Sequence, residues 1–225
     1  MNIRESSEAV VIEPAVSATA AVIWLHGLGA DGHDFVPIVP ELELPENHGI
    51  RFIFPHAPVR PVTINNGMAM RAWYDILSLT RMDRQDETGI RDSARIVQGL
   101  IQHELDAGIA ANRIVIAGFS QGGAIALYTA LRYSQRLAGL LPLSTYLPLH
   151  DRLATEASAA NRELPILMCH GTFDPVLPYM LGESSCEILR AQGYAVDWRS
   201  YPMQHQVCAE EIEAIGGWLW QILAK

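Results

Sequence analysis

The sequence predicts a three-layer α/β fold in which helices cover both faces of a mostly parallel sheet. Two observations support this prediction. Short apolar runs alternate along the chain with stretches of helical periodicity, and several of these runs are apolar at nearly every position. A strand that is covered on both faces needs apolar side chains on both sides, so its pattern does not alternate. Ligands of such a sheet bind beyond the carboxyl ends of its strands, and we expect the functional residues there.

The individual elements follow from these patterns. We predict strands at residues 10–12, 20–25, 51–54, 114–117, 139–143, 166–169 and 195–201. Residues 121–132 have the composition of a helix, and helical spacing of apolar residues predicts helices within 90–101, 181–192 and 212–222. Residues 55–88 show no firm periodicity and are rich in Pro, Asn, Gly and Met, which predicts a functional loop. This loop is too short for a large lid domain, so we expect an open groove.

The composition predicts one domain spanning residues 1–225, because a chain of this length with 49% hydrophobic residues can form one sizeable core. The net charge of −9 argues against binding to nucleic acid, whose phosphates would be repelled. No apolar run approaches the ~18 residues of a membrane span, so we expect no stable membrane insertion. The first residues do not resemble a secretory signal, and the three cysteines form no CxxC motif. Both features favour a cytoplasmic location.

Residues 114–123 read IVIAGFSQGG, an apolar run that ends in a Gly-x-Ser-x-Gly motif. Gly118 and Gly122 allow a sharp turn between a strand and a helix, and Ser120 then stands at its apex. The turn lifts the serine oxygen clear of the sheet, where a general base can reach it. The motif alone also arises by chance, but the strand before it and the helix after it make it far more specific.

A serine hydroxyl becomes a good nucleophile only when a base removes its proton and a carboxylate orients that base. Asp174 follows the predicted strand at 166–169, and His205 follows the one at 195–201. The chain order Ser120, Asp174, His205 is that of the α/β-hydrolase fold. Alternatively, Asp174 could cap a helix or stabilise a turn, and His205 could be a solvated loop histidine. We predict that the three residues form a catalytic triad.

The tetrahedral intermediate of acyl transfer needs two hydrogen-bond donors at its oxygen. We expect these to be backbone N–H groups. One belongs to Gln121, directly after the nucleophile, and the other to Leu28, in a glycine-rich loop after an early strand. His26 and His170 each precede a glycine at a strand end, where we expect them to brace loops.

Gly27, Gly29 and Gly32 also match the Gly-x-Gly-x-x-Gly fingerprint of dinucleotide-binding sites. That fingerprint needs an acidic residue at the end of the next strand, whereas the sequence there reads Phe-Pro-His. The chain contains no Walker motif, no HExxH motif and no clustered Cys and His residues. We therefore predict that the protein needs no cofactor and no metal.

Together these motifs resemble those of the carboxylesterase and acyl-protein thioesterase family, small α/β-hydrolases of the phospholipase/carboxylesterase type. The matching segments are WLHGLGADG at 24–32, PHAP at 55–58, RPVT at 60–63, MRAWYD at 70–75, GFSQGG at 118–123, LSTYLP at 143–148 and HGTFD at 170–174. The resemblance implies the same triad and oxyanion donors, and it implies that the segment Trp73-Tyr74-Asp75 lines the site. Gln206 and Thr145 depart from the residues found in many members, and we expect Thr145 to narrow the groove.

The resemblance further implies hydrolysis of short- to medium-chain carboxylic esters through an acyl-enzyme on Ser120. One alternative is an acyl-protein thioesterase or lysophospholipase that acts on long-chain acyl groups. A more distant one is a hydrolase-fold binding protein without turnover. The expected partner is a small-molecule ester or acyl substrate, and a homodimer is considered, although no residue identifies an interface. The candidates for lining the acyl groove are Trp73, Met68, Met70, Leu147 and Val176.

Overall fold

The computed structural model describes residues 2–78 and 84–224. Within these ranges the strands are β1 (Asn2–Glu5), β2 (Ala9–Glu13), β3 (Ala20–Leu25), β4 (Ile50–Pro55), β5 (Val59–Val62), β6 (Met68–Arg71), β7 (Ile114–Phe119), β8 (Gly139–Leu143), β9 (Ile166–Gly171) and β10 (Val196–Tyr201). The α-helices in the same ranges are α1 (Glu87–Asp106), α2 (Gln121–Arg132), α3 (Leu153–Glu156), α4 (Tyr179–Ala191) and α5 (Ala209–Leu223).

The central sheet has the strand order β1-β2-β4-β3-β7-β8-β9-β10. The six strands from β4 to β10 in this order pair in parallel, whereas β1 and β2 add an antiparallel edge. The carboxyl ends of β3, β7, β8, β9 and β10 therefore point to the same edge of the sheet. The predicted fold class, with its mostly parallel sheet, is confirmed.

Both faces of the sheet are covered, which explains why the central strands lack alternation. In β3 the side chains of Ala21, Ile23 and Leu25 join a core with α1, α2 and α4. Those of Ala20, Val22 and Trp24 join a second core with α5 and two short 3₁₀ turns, at 36–38 and 40–42. Each fully buried aliphatic side chain contributes about 1.5–3 kcal/mol relative to an exposed one.

The structure adds three strands that the sequence did not predict. The edge strand β1 is exposed at every position, and β5 and β6 form a hairpin in which half of the residues are exposed. The hairpin lies inside the stretch 55–88 that was predicted as a loop. Residues 79–83 of that stretch lie outside the described residues. In the part of the chain that the structure describes, no segment forms a large lid domain, and no helix is both long enough and apolar enough to cross a membrane.

Candidate active site

The turn between β7 and α2 holds Ser120 in a backbone conformation that few L-residues adopt, with φ 54° and ψ −119°. Such a conformation costs about 1–3 kcal/mol and persists only where neighbouring contacts fix it. Here the Ser120 N–H donates to the Leu143 carbonyl at 2.9 Å, and the Thr145 hydroxyl donates to the Ser120 carbonyl at 2.6 Å. A Cβ atom at Gly122 would lie 2.3 Å from the Leu25 carbonyl oxygen, so a larger residue would disrupt the turn.

The position of Thr145 corrects one expectation. The residue is fully buried and does not line the cavity beside Ser120, so it does not narrow the groove. Its hydroxyl instead stabilises the strained turn that carries the serine. Thr145, which differs from the residue found in many family members, thus supports the turn that carries Ser120.

The loops after β9 and β10 bring Asp174 and His205 together. Nδ1 of His205 lies 2.7 Å from Oδ2 of Asp174, so the ring donates Nδ1–H and leaves Nε2 free to accept a proton. The other oxygen, Oδ1, accepts the N–H groups of Val176 at 2.9 Å and Leu177 at 2.8 Å. The Asp174 carboxylate is fully buried, and the His205 ring packs against Phe119 with 4.7 Å between ring centroids. The carboxylate therefore fixes both the tautomer and the orientation of the imidazole.

Ser120 and His205 line the same cavity, which has a volume of about 280 Å³. Leu28 and Gln121 line it as well. The fold thus brings the predicted nucleophile, base and carboxylate to one end of the sheet, with the carboxylate behind the histidine.

The two predicted oxyanion donors are placed at this cavity by different elements. Gln121 is the first residue of α2, where the backbone N–H has no partner within the helix. Among the described residues, neither this N–H nor that of Leu28 has a hydrogen-bond acceptor. Two unengaged donors beside a serine are the arrangement that stabilises an oxyanion.

His26 braces the loop that carries Leu28. Its Nδ1–H donates to the Gly27 carbonyl at 2.7 Å, and its Nε2 accepts the Ala57 N–H at 3.0 Å. Burial lowers the pKa of His26 to about 4, so the ring is neutral at pH 7 and can serve as both donor and acceptor. The next residue after Leu28, Gly29, donates its N–H to the Arg71 carbonyl at 2.9 Å.

Most of the cavity wall is apolar. Two phenols interrupt it: the Tyr74 and Tyr146 hydroxyls form a hydrogen bond of 2.7 Å. Burial raises the pKa of both tyrosines, so both hydroxyls stay protonated and act as neutral hydrogen-bonding groups. One carboxyl, that of Asp34, also lines the cavity. The apolar side chains of the wall include those of Leu28, Ile64, Ile76, Phe119, Val176 and Leu177.

The structure departs from the predicted groove at four residues. Trp73 is fully buried behind the cavity, where its indole Nε1–H donates to the His26 carbonyl at 2.9 Å. Leu147 is buried in the core, and its N–H donates to the Ser185 hydroxyl at 2.9 Å. Neither residue lines the cavity, nor do Met68 and Met70.

The two methionines miss the cavity because they belong to the hairpin. The Met68 side chain is 66% exposed, and Met70 Sδ lies 3.2 Å from the Asn65 amide nitrogen. Of the five predicted groove residues, Val176 lines the cavity. Tyr74 belongs to the 73–75 segment that the resemblance places at the site, although it was not among the named groove candidates. Tyr146 was missed, although it lies within the matching segment 143–148. Ile64 and Ile76 also line the cavity, but neither lies within a segment that matches the family.

Within residues 2–78 and 84–224, no group of three or more His, Cys, Asp or Glu side chains could hold a metal ion.

Comparison with known proteins shows the family of this chain. The sequence profile of the phospholipase/carboxylesterase family matches residues 6–222. The chain belongs to this family. Acyl-protein thioesterase 1 of Neurospora crassa is 42% identical over 225 residues, covering 96% of this chain and 92% of that protein. Acyl-protein thioesterase 1 of Cryptococcus neoformans is 39% identical over 231 residues, covering 94% and 96%.

Solved structures of the family have the same fold. The structure of acyl-protein thioesterase 2 of Zea mays has a TM-score of 0.86 to this one, at 32% identity over 96% of this chain and 98% of that one. Membership of the family establishes that this chain is a hydrolase with esterase or thioesterase activity.

Proposed function

We propose that this chain is an acyl-protein thioesterase that hydrolyses S-acyl thioesters through an acyl-enzyme on Ser120. The observation that carries the proposal is the 2.7 Å contact between His205 and Asp174 at the cavity that Ser120 also lines. The names of the curated relatives support thioesters over the short- and medium-chain esters that the sequence favoured.

The proposed mechanism assigns one role to each group. His205 accepts the Ser120 proton as the serine oxygen attacks the thioester carbonyl, and it then donates that proton to the departing thiolate. Asp174 stabilises the imidazolium without taking the proton itself. The N–H groups of Leu28 and Gln121 stabilise the oxyanion. Water, activated by His205, then hydrolyses the acyl-enzyme and regenerates Ser120.

The deciding experiment compares substrates at equal acyl length. Purified protein is given an S-palmitoylated peptide, the matching O-palmitoylated peptide and a series of p-nitrophenyl esters, and kcat/KM is measured for each. The proposal requires the thioester peptide to be the best substrate. If a short p-nitrophenyl ester is hydrolysed far faster than the thioester peptide, the protein is a small-ester carboxylesterase instead.

A second experiment tests the nucleophile. A fluorophosphonate should add its mass to Ser120, and Ser120→Ala should lose both the adduct and roughly 10³-fold or more of the turnover. Ser184→Ala, at an exposed position of α4, is the matched control and should keep both. Absence of any adduct in the wild-type protein would favour a hydrolase-fold binding protein without turnover.

One observation favours the small-ester alternative. The cavity has a volume of only about 280 Å³, and a hydrogen-bonded pair of tyrosines forms part of its wall. A long acyl chain would have to extend along the open side of such a cavity. The chain-length series described above measures this directly.

The proposal extends to the organisation of the protein. We propose that the chain forms one domain, as the family match over residues 6–222 supports. A cytoplasmic location is supported by the three free cysteines. A homodimer stays a prediction that measurement of the molecular mass in solution can decide.

A further inference from the structure

His170 is a second histidine beside the Asp174 carboxylate. It is the second-to-last residue of β9, four residues before the aspartate, and is fully buried. Its Nε2–H donates to the Leu177 carbonyl at 2.9 Å, and the same nitrogen lies 3.5 Å from Oδ2 of Asp174. That oxygen is the one that His205 contacts at 2.7 Å.

The contact with Leu177 closes the turn that holds the carboxylate. Oδ1 of Asp174 accepts the N–H groups of Val176 and Leu177, so the turn wraps around its own aspartate. Neither of these two bonds involves the Leu177 carbonyl. His170 supports that carbonyl from the rigid end of a central strand, and thereby fixes the turn to the sheet.

The surroundings of His170 select one protonation state. Nδ1 is buried without a hydrogen-bond partner among the described residues, and a Cβ atom at Gly182 would lie 2.3 Å from it. The rings of Tyr179 and Trp198 each lie with their centroids 6.1 Å from that of His170. An imidazolium would bury an unpaired N–H at Nδ1, which is unfavourable. The ring is therefore neutral, with its proton on Nε2.

The titratable groups facing this ring are Asp174, His205 and Tyr179. Burial lowers the pKa of His170, and His205 acts in the same direction, whereas the contacts with Leu177 and Asp174 oppose them. The balance keeps the ring neutral at pH 7.

We propose that His170, as the neutral Nε2–H tautomer, is a positioning residue that holds the Asp174 turn so that Oδ2 faces His205. The inference rests on the triad of the proposed function. A displaced carboxylate stabilises the imidazolium of His205 less, so the loss of His170 reduces kcat and leaves substrate binding in the cavity unchanged.

Two amide variants separate this role from a general packing role. In His170→Gln the side-chain nitrogen can reach the position of Nε2, whereas in His170→Asn it reaches only that of Nδ1. We expect the Gln variant to stay within about threefold of wild type. The Asn variant should lose roughly 10- to 100-fold in kcat, with KM unchanged. In the Asn variant, the acidic limb of the plot of kcat/KM against pH should also move to lower pH, because His205 is protonated less readily.

Each result decides the question. Rescue by Gln but not Asn, together with the shifted acidic limb, supports the proposal. Equal activity of both variants, or an equal loss in both with an unshifted limb, overturns it, because packing alone explains either result. Melting temperatures of both variants are measured in parallel.

A measurement on the wild-type protein avoids any folding defect of the variants. Nitrogen-15 NMR should show the Nε2–H tautomer of His170 from about pH 6 to 8, and a protonated Nδ1 would overturn the proposal. The NMR measurement does not depend on activity, whereas the variant test needs an active wild-type protein. If wild-type protein neither hydrolyses an acyl substrate nor reacts with fluorophosphonate, it is the triad that fails.

Discussion

The backbone N–H of Trp73 donates to the side-chain Oε1 of Gln121 at 2.8 Å. The amide group of the same side chain donates Nε2–H to the Tyr74 carbonyl at 2.7 Å. Gln121 is nearly fully buried, and it directly follows the proposed nucleophile. Its side chain therefore ties the segment at 73–74 to the start of α2, and the residue also lines the cavity.

This bridge predicts the effect of Gln121→Met. Methionine has a similar volume but leaves the Trp73 N–H and the Tyr74 carbonyl buried without partners. Each orphaned group costs about 1–3 kcal/mol, so we expect a loss of about 2–6 kcal/mol in the free energy of unfolding. Urea denaturation measures it. Gln98→Met, at an exposed position of α1, is the control and should change stability by less than about 0.5 kcal/mol. Equal values for the two variants would contradict the role of the bridge.

The sequence could predict the central fold because its signals are local. A strand that is buried on both faces, such as 114–119, is visible as an unbroken apolar run. The helix Gln121–Arg132 begins and ends at the predicted residues. Strand β1 and the hairpin of β5 and β6 gave no such signal, because exposed strands carry no apolar pattern and β5 contains a proline.

In the candidate site, too, some residues could be placed from the sequence and others could not. Ser120, Asp174 and His205 could be placed near one another, since each follows a parallel strand and such strands end at one edge of the sheet. The wall of the cavity could not be derived in this manner. Whether Trp73 or Tyr74 faces the cavity depends on how the 72–76 segment leaves the hairpin, and neighbouring residues can point in opposite directions. The resemblance placed the whole 73–75 segment at the site, with Trp73 as the named groove candidate, and the structure places Tyr74 at the wall.

Tyr146 provides a test of the wall. Its ring lines the cavity and its hydroxyl contacts that of Tyr74. Tyr146→Ala removes the ring, so longer acyl chains gain buried surface, at about 0.8 kcal/mol or nearly fourfold in kcat/KM per extra methylene. We expect the optimum of a p-nitrophenyl ester series to move to longer chains. Met180→Ala, exposed and outside the cavity wall, is the control. An unchanged optimum in Tyr146→Ala would show that this ring does not limit the acyl chain.

Glu211 predicts a dependence of stability on pH. It lies in the first turn of α5 and is fully buried, which raises its pKa from 4.5 to about 8. The folded protein therefore retains a proton that the unfolded chain releases above pH 4.5. This contribution to stability is complete below pH 4.5 and is lost as the pH rises toward 8, by up to about 1.4 kcal/mol per pH unit.

Glu211→Gln isolates that contribution, because glutamine resembles the protonated acid and does not titrate. The free energy of unfolding of wild type, measured between pH 5 and 8, should fall relative to that of Glu211→Gln. Glu210→Gln, at the exposed neighbouring position, should run parallel to wild type. If the Glu211→Gln curve also runs parallel to wild type, the carboxyl is ionised in the folded protein and the prediction is wrong.

From the position of Asp34 we predict that the enzyme prefers a cationic leaving group to an anionic one. Its carboxyl lines the cavity that holds Ser120 and His205, and burial together with the nearby Asp31 raises its pKa. When ionised, it repels an anionic leaving group and attracts a cationic one. A suitable pair of probes is butyrylthiocholine, which is cationic, and S-butyryl-3-mercaptopropionate, which is anionic. Both carry the same acyl group, so their kcat/KM ratio reports the leaving group.

Asp34→Asn should reduce the preference for the cationic thioester by roughly 3- to 10-fold at low salt, since one charge is removed at the edge of a partly solvated cavity. The difference between variant and wild type should shrink in 0.5 M salt, where the Debye length falls to roughly 4 Å. Asp151→Asn lies in an exposed turn away from the cavity and controls for the change in net charge. If Asp34→Asn and Asp151→Asn alter the ratio equally, the net charge of −9 governs selection, and the position of Asp34 beside the serine has no specific effect.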